Sequence, residues 1–248
     1  MLDEKYYKTR RTIRRYKPQT PDAQLIDKML ELASHAPTTG NMQLYSVIVT
    51  TEKELLDKLA ILHFKQPASL APMLVTFCAD FNRTTRWAEL SDANPGFGNF
   101  QSFIAAMLDA TILAQEFVNI AEHEGLGCCY LGTTTYNAPD IASVLGLPSL
   151  VVPVVTIAVG YPDEEWHTSD RLPLESFRYK ETYTPLTDDQ LLACYRHREE
   201  LPENQQFVAD NNKTTLAQVF TDIRYPRNNN EQFSTIFKDF LIKNGFSL

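Results

Sequence analysis

The sequence is short of the features that usually announce a mechanism. It has no G-x-S-x-G nucleophile elbow, no H-E-x-x-H, no phosphate-cradling G-x-x-x-x-G-K-[ST] loop and no G-x-G-x-x-G. Serine-hydrolase, zinc-protease, P-loop and Rossmann dinucleotide readings are therefore excluded. Cysteine is scarce: four residues, Cys78, Cys128, Cys129 and Cys194, make no disulfide framework in 248 residues. Their spacing fits no zinc pattern, so they read as reduced thiols. The five histidines, His35, His63, His123, His167 and His197, are scattered without metal-ligand spacing and read as surface or capping residues. The N-terminus, MLDEKYYKTRR, lacks an apolar signal core, and no run of about 20 apolar residues suits a membrane helix. A cytoplasmic protein is expected. A chain of enzyme size without a visible nucleophile or metal set points to a bound cofactor that brings the reactive atom itself.

Hydrophobic residues make up 44% and charged residues 22%, as in ordinary globular proteins. The net charge of −8 gives no general attraction for nucleic acid or an anionic membrane, and neither is expected as a partner. Against this acidic background residues 8–17, KTRRTIRRYK, carry six basic groups and no acid.

Hydrophobic period divides the chain. Thr20, Pro21 and Asp22 look like a helix start with Thr20 as N-cap, followed by the stripe Leu25, Met29, Leu32 and Ala36. Residues 46–51 read as a β-branched strand, and Thr51 with Glu54 as a capping box opening a helix to about Leu62. Residues 72–79, an unbroken apolar run, read as a buried strand. The longest helical pattern, 100–124, is apolar on most of its circumference and belongs at a domain centre or a subunit seam. Gly125 and Gly127 end it, a strand 128–131 follows, then a small helix from Asn137 to near Leu147 and a strand 151–159. This alternation predicts a sandwich of helices on a mixed sheet. The last 60 or so residues are more polar, with helical patches at 191–198 and 233–244, and read as an arm packed on the main body.

Four local features could hold a cofactor. On an extended segment Arg10, Thr12 and Arg14 point one way, two guanidinium forks around a hydroxyl, a geometry that suits a phosphate. The loop 36–43, APTTGNMQ, offers hydroxyls, amides and accessible backbone N–H groups. Small residues in 125–133, GLGCCYLGT, let a flat ligand approach the backbone. Gly160, Tyr161 and Pro162 precede a further cation at Arg171.

Taken in this order the chain resembles the FMN-dependent nitroreductase and flavin reductase family, especially the larger NADPH-using branch with a C-terminal extension. The resemblance runs nearly end to end, through RRTIRRY (10–16), ASHAPTTGNMQ (33–43), FCADFNR (77–83), the helix and strand of 103–132, LGLPSLVVPVVTIAVGYP (145–162) and RLP (171–173). It implies an α+β fold: a three-layer α/β sandwich with a mixed, mostly antiparallel sheet, forming an intertwined homodimer. Residues 1–190 would form the FMN-binding domain and 191–248 an extension packed on it or on the partner subunit. Arg10, Arg11, Thr12 and Arg14, joined by Arg171, would hold the phosphate and ribityl end of a non-covalent FMN. Pro37, Thr38, Thr39 and Asn41 would reach the partner subunit's FMN. Tyr130, Leu131, Gly132 and Thr133 would lie against the isoalloxazine, and Gln66 would match the family's flavin-contacting glutamine, one residue off the usual distance.

No catalytic side chain and no metal are implied. NADPH would supply hydride to flavin N5, and a nitroaromatic, quinone or free flavin would collect it by ping-pong exchange. Reductive dehalogenation, flavin destruction or non-catalytic flavin binding are the alternatives. Where this branch carries a lysine two residues before Arg171, the chain has Ser169, and threonines replace serines at 12, 38 and 39. Arg196, Arg198, Lys213, Arg224 and Arg227 could receive a 2′-phosphate, and Trp87 or Phe97 could stack on an acceptor or belong to the core.

Overall fold

A computed structural model describes residues 3–165 and 168–248. In chain order the elements are α1 (Glu4–Thr9), α2 (Ala23–Ala33), β1 (Tyr45–Thr50), α3 (Lys53–Leu62), β2 (Met73–Asp80), α4 (Asn82–Leu90), α5 (Phe100–His123), β3 (Gly127–Leu131), α6 (Ala138–Val144) and β4 (Val151–Gly160). After them come α7 (Asp188–Glu200), α8 (Pro202–Asp210), the short α9 (Leu216–Gln218) running into a π-helical turn, and α10 (Arg227–Lys243). The residues form two compact units, Met1–Trp166 with Phe233–Leu248, and His167–Gln232. These units do not follow a 190/191 boundary, because the chain end returns to the first of them.

The sheet has the order β1-β2-β4-β3 and every ladder is antiparallel. Parallel pairing is confined, among the described residues, to the isolated bridge between Asn99 and Ser247. Strands without polar interruption are covered on both faces. On one side Met73, Val75, Phe77 and Ala79 of β2 pack on α5 and α2, with the rings of Phe77 and Phe117 5.7 Å apart. On the other side Leu74, Leu131 and Ala158 meet Leu59 of α3 and Ile141 of α6. The result is three layers. In β4 the residues packed into the first core change from Val152 and Val154 to Ile157 and Val159, a switch of parity. It coincides with a register shift that pairs Phe77 with Val155 but Cys78 with Pro153. A bulge absorbs the extra residue and tolerates a proline inside a central strand.

Two helix starts differ from expectation. Asp22, not Thr20, caps α2, its carboxylate accepting from the backbone N–H groups of Gln24 and Leu25. Glu52 precedes α3 without any side-chain cap, so the capping box at Thr51 is not formed.

Helix α5 is long and apolar enough, by length and composition, to cross a membrane, a test that the sequence reading had it fail. Core helices pass the same test. Phe103, Ala106, Ala110, Leu113, Ala114, Phe117, Val118 and Ala121 all bury one stripe of it, in the helical spacing of a face laid on a sheet.

The chain end is part of this first core. Phe246 and Leu241 are buried, and Phe103 packs against both Phe237 and Phe246 at 5.9 and 5.6 Å between centroids. A Cβ on Gly98 would stand 2.9 Å from the carbonyl oxygen of Gly245, so the strap lies too close for a side chain there.

In the second unit Cys194, Leu216 and Val219 are buried. Thr187 and Gln190 form a reciprocal capping box at the start of α7.

Candidate functional site

The basic segment is laid along the sheet edge. The N–H of Ile13 donates to Cys128 O of β3 (3.1 Å), and that of Lys17 to Tyr161 O (2.9 Å). Gly127 is where the segment presses in, since a Cβ there would fall 2.4 Å from the Ile13 side chain. The arginines then separate. Arg10 is clamped by Glu122 of α5, Nε to Oε2 at 3.2 Å and Nη2 to Oε1 at 3.1 Å, and the Tyr6 hydroxyl donates to the same carboxylate at 2.6 Å. Arg11 and Arg14 are exposed and carry no ion pair among the described residues. Thr12 is half-buried. The backbone N–H groups of Arg14 and Arg15 both donate to Glu164 Oε1, at 2.7 and 2.6 Å. The structure thus brings 10–14 beside β3 but gives Arg10 a carboxylate partner that the alternation argument did not foresee.

The loop after α2 is fixed from below by an acid that the sequence reading passed over. Asp109 sits on the buried stripe of α5, 2% exposed. Its carboxylate accepts from Thr39 N–H and Thr39 hydroxyl, both at 2.9 Å, and from Leu44 N–H at 3.3 Å. Such a buried acid is tolerable only with its acceptors filled. Gly40, Asn41 and Gln43 all have positive φ, near 57°, 57° and 53°. Two of these are not glycine, so the tight turn is imposed by its anchors. Thr38 accepts from Gln43 N–H at 3.4 Å; Pro37 and Asn41 are exposed. Arg83 at the start of α4 donates to the carbonyls of Tyr45 and Gln43, tying that helix to the loop.

The end of β3 forms the third part. Tyr130 is 36% exposed, its hydroxyl donating to Gln115 Oε1 at 3.2 Å, and burial of the rest of the ring pushes its pKa up to about 12. Leu131 is buried, so it offers the site only backbone. Gly132 is exposed, and a Cβ there would meet nothing within 4 Å. Thr133 Oγ1 lies 2.8 Å from His63 Nδ1 and accepts from Gln66 Nε2 at 3.2 Å, so Gln66 and Thr133 are brought together. His63 is not a surface histidine: it is fully buried, and burial pushes its pKa down to about 4. His167 lies outside the described residues.

Within the second unit Arg171 is exposed, its guanidinium donating to the carbonyls of Ser169 (3.2 Å) and Asp170 (2.8 Å). Of the basic residues there, Arg198 pairs with Asp170 at 2.6 Å and Lys213 with Asp222 at 2.8 Å. Arg224 lies over the rings of Phe207 and Phe220. Arg196 and Arg227 are exposed without an ion pair among the described residues. In the 84–99 segment Phe97 stacks on Phe81 at 4.9 Å and belongs to the core, whereas Trp87 is 67% exposed.

The donor set fits a phosphorylated, planar group. Two unpaired guanidinium groups on an edge segment suit a phosphate. The bare backbone of Gly132 leaves room that no protein atom fills. Among the described residues no cluster of His, Cys, Asp or Glu could hold a metal.

Comparison with known proteins agrees. The family model described as "Nitroreductase family" matches residues 7–161. The chain is 31% identical to FMN reductase (NADPH) of Bacillus subtilis (strain 168) over 182 residues, covering 72% of this chain and 73% of that one. It is 30% identical to the oxygen-insensitive NADPH nitroreductase of Salmonella typhimurium over 187 residues, 75% of each chain. A solved structure of a suggested oxidoreductase from Bacteroides fragilis NCTC 9343 superposes with a TM-score of 0.95 at 44% identity, covering 97% of this chain and 98% of that one. The chain therefore belongs to the nitroreductase family.

Proposed function

We propose that the protein is an FMN-dependent NAD(P)H oxidoreductase, working as a cytoplasmic homodimer and passing hydride from NADPH to nitroaromatics, quinones or free flavin. When bound, FMN supplies the two-electron chemistry between nicotinamide and acceptor. The observation that carries the reading is the edge segment itself: Arg11 and Arg14, exposed and unpaired, on a strand-like stretch bonded to β3 just before the open backbone of Gly132. Both named relatives are NADPH enzymes, one of them an FMN reductase.

In this reading Arg11, Thr12 and Arg14 bind the phosphate and ribityl end. Arg10, held by Glu122, fixes the segment and presents what remains of its fork. Tyr130, Leu131, Gly132, Thr133 and Gln66 line the ring. Pro37, Thr38, Thr39 and Asn41 serve the partner subunit's cofactor, with Thr39 acting through its Asp109 anchor. Residues 1–190 carry the flavin site, and 191–248 form the extension. The homodimer is supported by apolar residues the chain leaves uncovered: Leu32 and Ile112, which line a hollow with Pro37, are 46% and 42% exposed, and Leu108 of α5 is 53% exposed.

The test is steady-state NADPH oxidation by the FMN-loaded protein at several fixed acceptor concentrations. Parallel double-reciprocal lines with a quinone, a nitroaromatic or free FMN support the proposal. No NADPH oxidation with any of them refutes it. Loss of FMN from Arg11→Ala and Arg14→Ala, but not from Arg15→Ala, locates the phosphate; a single charged contact contributes about 1.5–3 kcal/mol.

A further inference from the structure

Two nitrogen-bearing side chains flank the hydroxyl of Thr133. Its Oγ1 accepts from Gln66 Nε2 at 3.2 Å and lies 2.8 Å from Nδ1 of His63. His63 is wholly buried and its Nε2 has no partner among the described residues. Burial alone keeps the imidazole neutral, with a pKa pushed down to about 4. A neutral ring carries one N–H. Placed on Nε2, that N–H would be a buried donor with nothing to receive it, the arrangement folded proteins avoid most. Placed on Nδ1, it is given to Thr133 and only a bare lone pair is left on Nε2. Thr133 Oγ1 then accepts twice from the interior, which fills both of its lone pairs. Its own hydrogen must point outward, where no acceptor stands among the described residues. Immediately beside it Gly132 has an ordinary backbone and open space where a side chain would be, so neither conformation nor packing against the protein requires glycine there.

We infer that Thr133 is a hydrogen-bond donor to an acceptor atom on the edge of the FMN ring, and that His63 and Gln66 are positioning residues that turn its hydroxyl outward. The inference rests on the reading that the ring lies against 130–133. A donor fixed at the ring edge favours the more electron-rich state of the cofactor and so raises its midpoint potential.

The experiment is the two-electron midpoint potential of the FMN-loaded protein, measured by dye equilibration at saturating FMN without nicotinamide or acceptor. Thr133→Val keeps the branched shape and removes the O–H. It should lower the potential by about 30 mV, the equivalent of a tenfold change in the ratio of affinities for the two redox states. Thr133→Ser should restore the original value. His63→Leu, which removes one of the two donors that fix the hydroxyl's direction, should shift it the same way by a smaller amount, and His63→Gln, which can still donate to Thr133, should not. A Thr133→Val potential equal to that of the unaltered protein overturns the inference, and this pair decides alone if His63→Leu does not fold. Gly132→Ala tests the underlying reading separately. Its Cβ would meet no protein atom within 4 Å, so a loss of FMN affinity of tenfold or more shows that the ring occupies that space. Unchanged affinity refutes the placement of the ring, whatever the Thr133 variants do.

Discussion

Two of the threonines that border the candidate site, Thr39 and Thr133, are held in opposite senses. Thr39 faces an acceptor: Asp109 takes its N–H and its hydroxyl hydrogen, so the side chain is turned into the protein. Thr133 faces donors, His63 and Gln66, so its hydrogen is turned away from it. The same residue type thus anchors a loop in one place and offers a free donor in the other. What decides is the chemistry of the buried partner, not the threonine. A carboxylate fixes a loop strongly enough to hold non-glycine residues at positive φ, whereas neutral donors fix an orientation and leave a hydrogen over.

The comparison breaks most severely at the proposed subunit seam. If the 38–41 loop serves the partner's cofactor while 130–133 serves its own chain, Ile112→Asp should abolish both the dimer and tight FMN binding. Sedimentation with visible detection reads both; a coloured monomer would show that the loop is dispensable.

Next in size is the anchor itself. Asp109→Leu leaves the N–H groups of Thr39 and Leu44 unpaired, at roughly 1–3 kcal/mol each, for a total near 4 kcal/mol in urea unfolding. Loss of under 1 kcal/mol would mean the loop does not depend on the carboxylate.

The other anchor has a pH signature. The unfolded chain takes up the His63 proton near its ordinary pKa of 6.5, the folded chain only near 4. Between these values the unfolded state binds more protons, so stability falls as pH falls through that window, by about 3 kcal/mol in all. His63→Gln should flatten that part of the stability–pH curve.

Smallest is the contrast between the threonines. Thr39→Val should cost about 1 kcal/mol of stability, one hydrogen bond, and leave the midpoint potential where it was. Thr133→Val should move the potential. Equal shifts from the two would erase the distinction.

Much of this was legible in the sequence. The long pattern of α5, the apolar runs of β2 and β4 and the ordered motifs carried the fold, because burial on a face or on both faces leaves a period that needs no partner to be seen. The start of α2 was misread because Thr20 and Asp22 are both good caps, and only the backbone shows which accepts. Asp109 could have been found. It falls between Ala106 and Leu113 on the buried stripe, and an acid there must have partners. Glu122 and His63 could not, since their partners, Arg10 and Thr133, are 112 and 70 residues away. The return of 233–248 to the first core was likewise hidden, because Phe237, Leu241 and Phe246 show an apolar face without saying against what.

The most direct measurement is anaerobic titration of the purified, FMN-loaded protein with NADPH, followed by its visible absorption. The flavin band should bleach with about one NADPH per bound FMN and return on addition of a quinone after the nucleotide has been removed. A band that NADPH leaves unchanged, or a protein that takes up no FMN at all, would contradict the account.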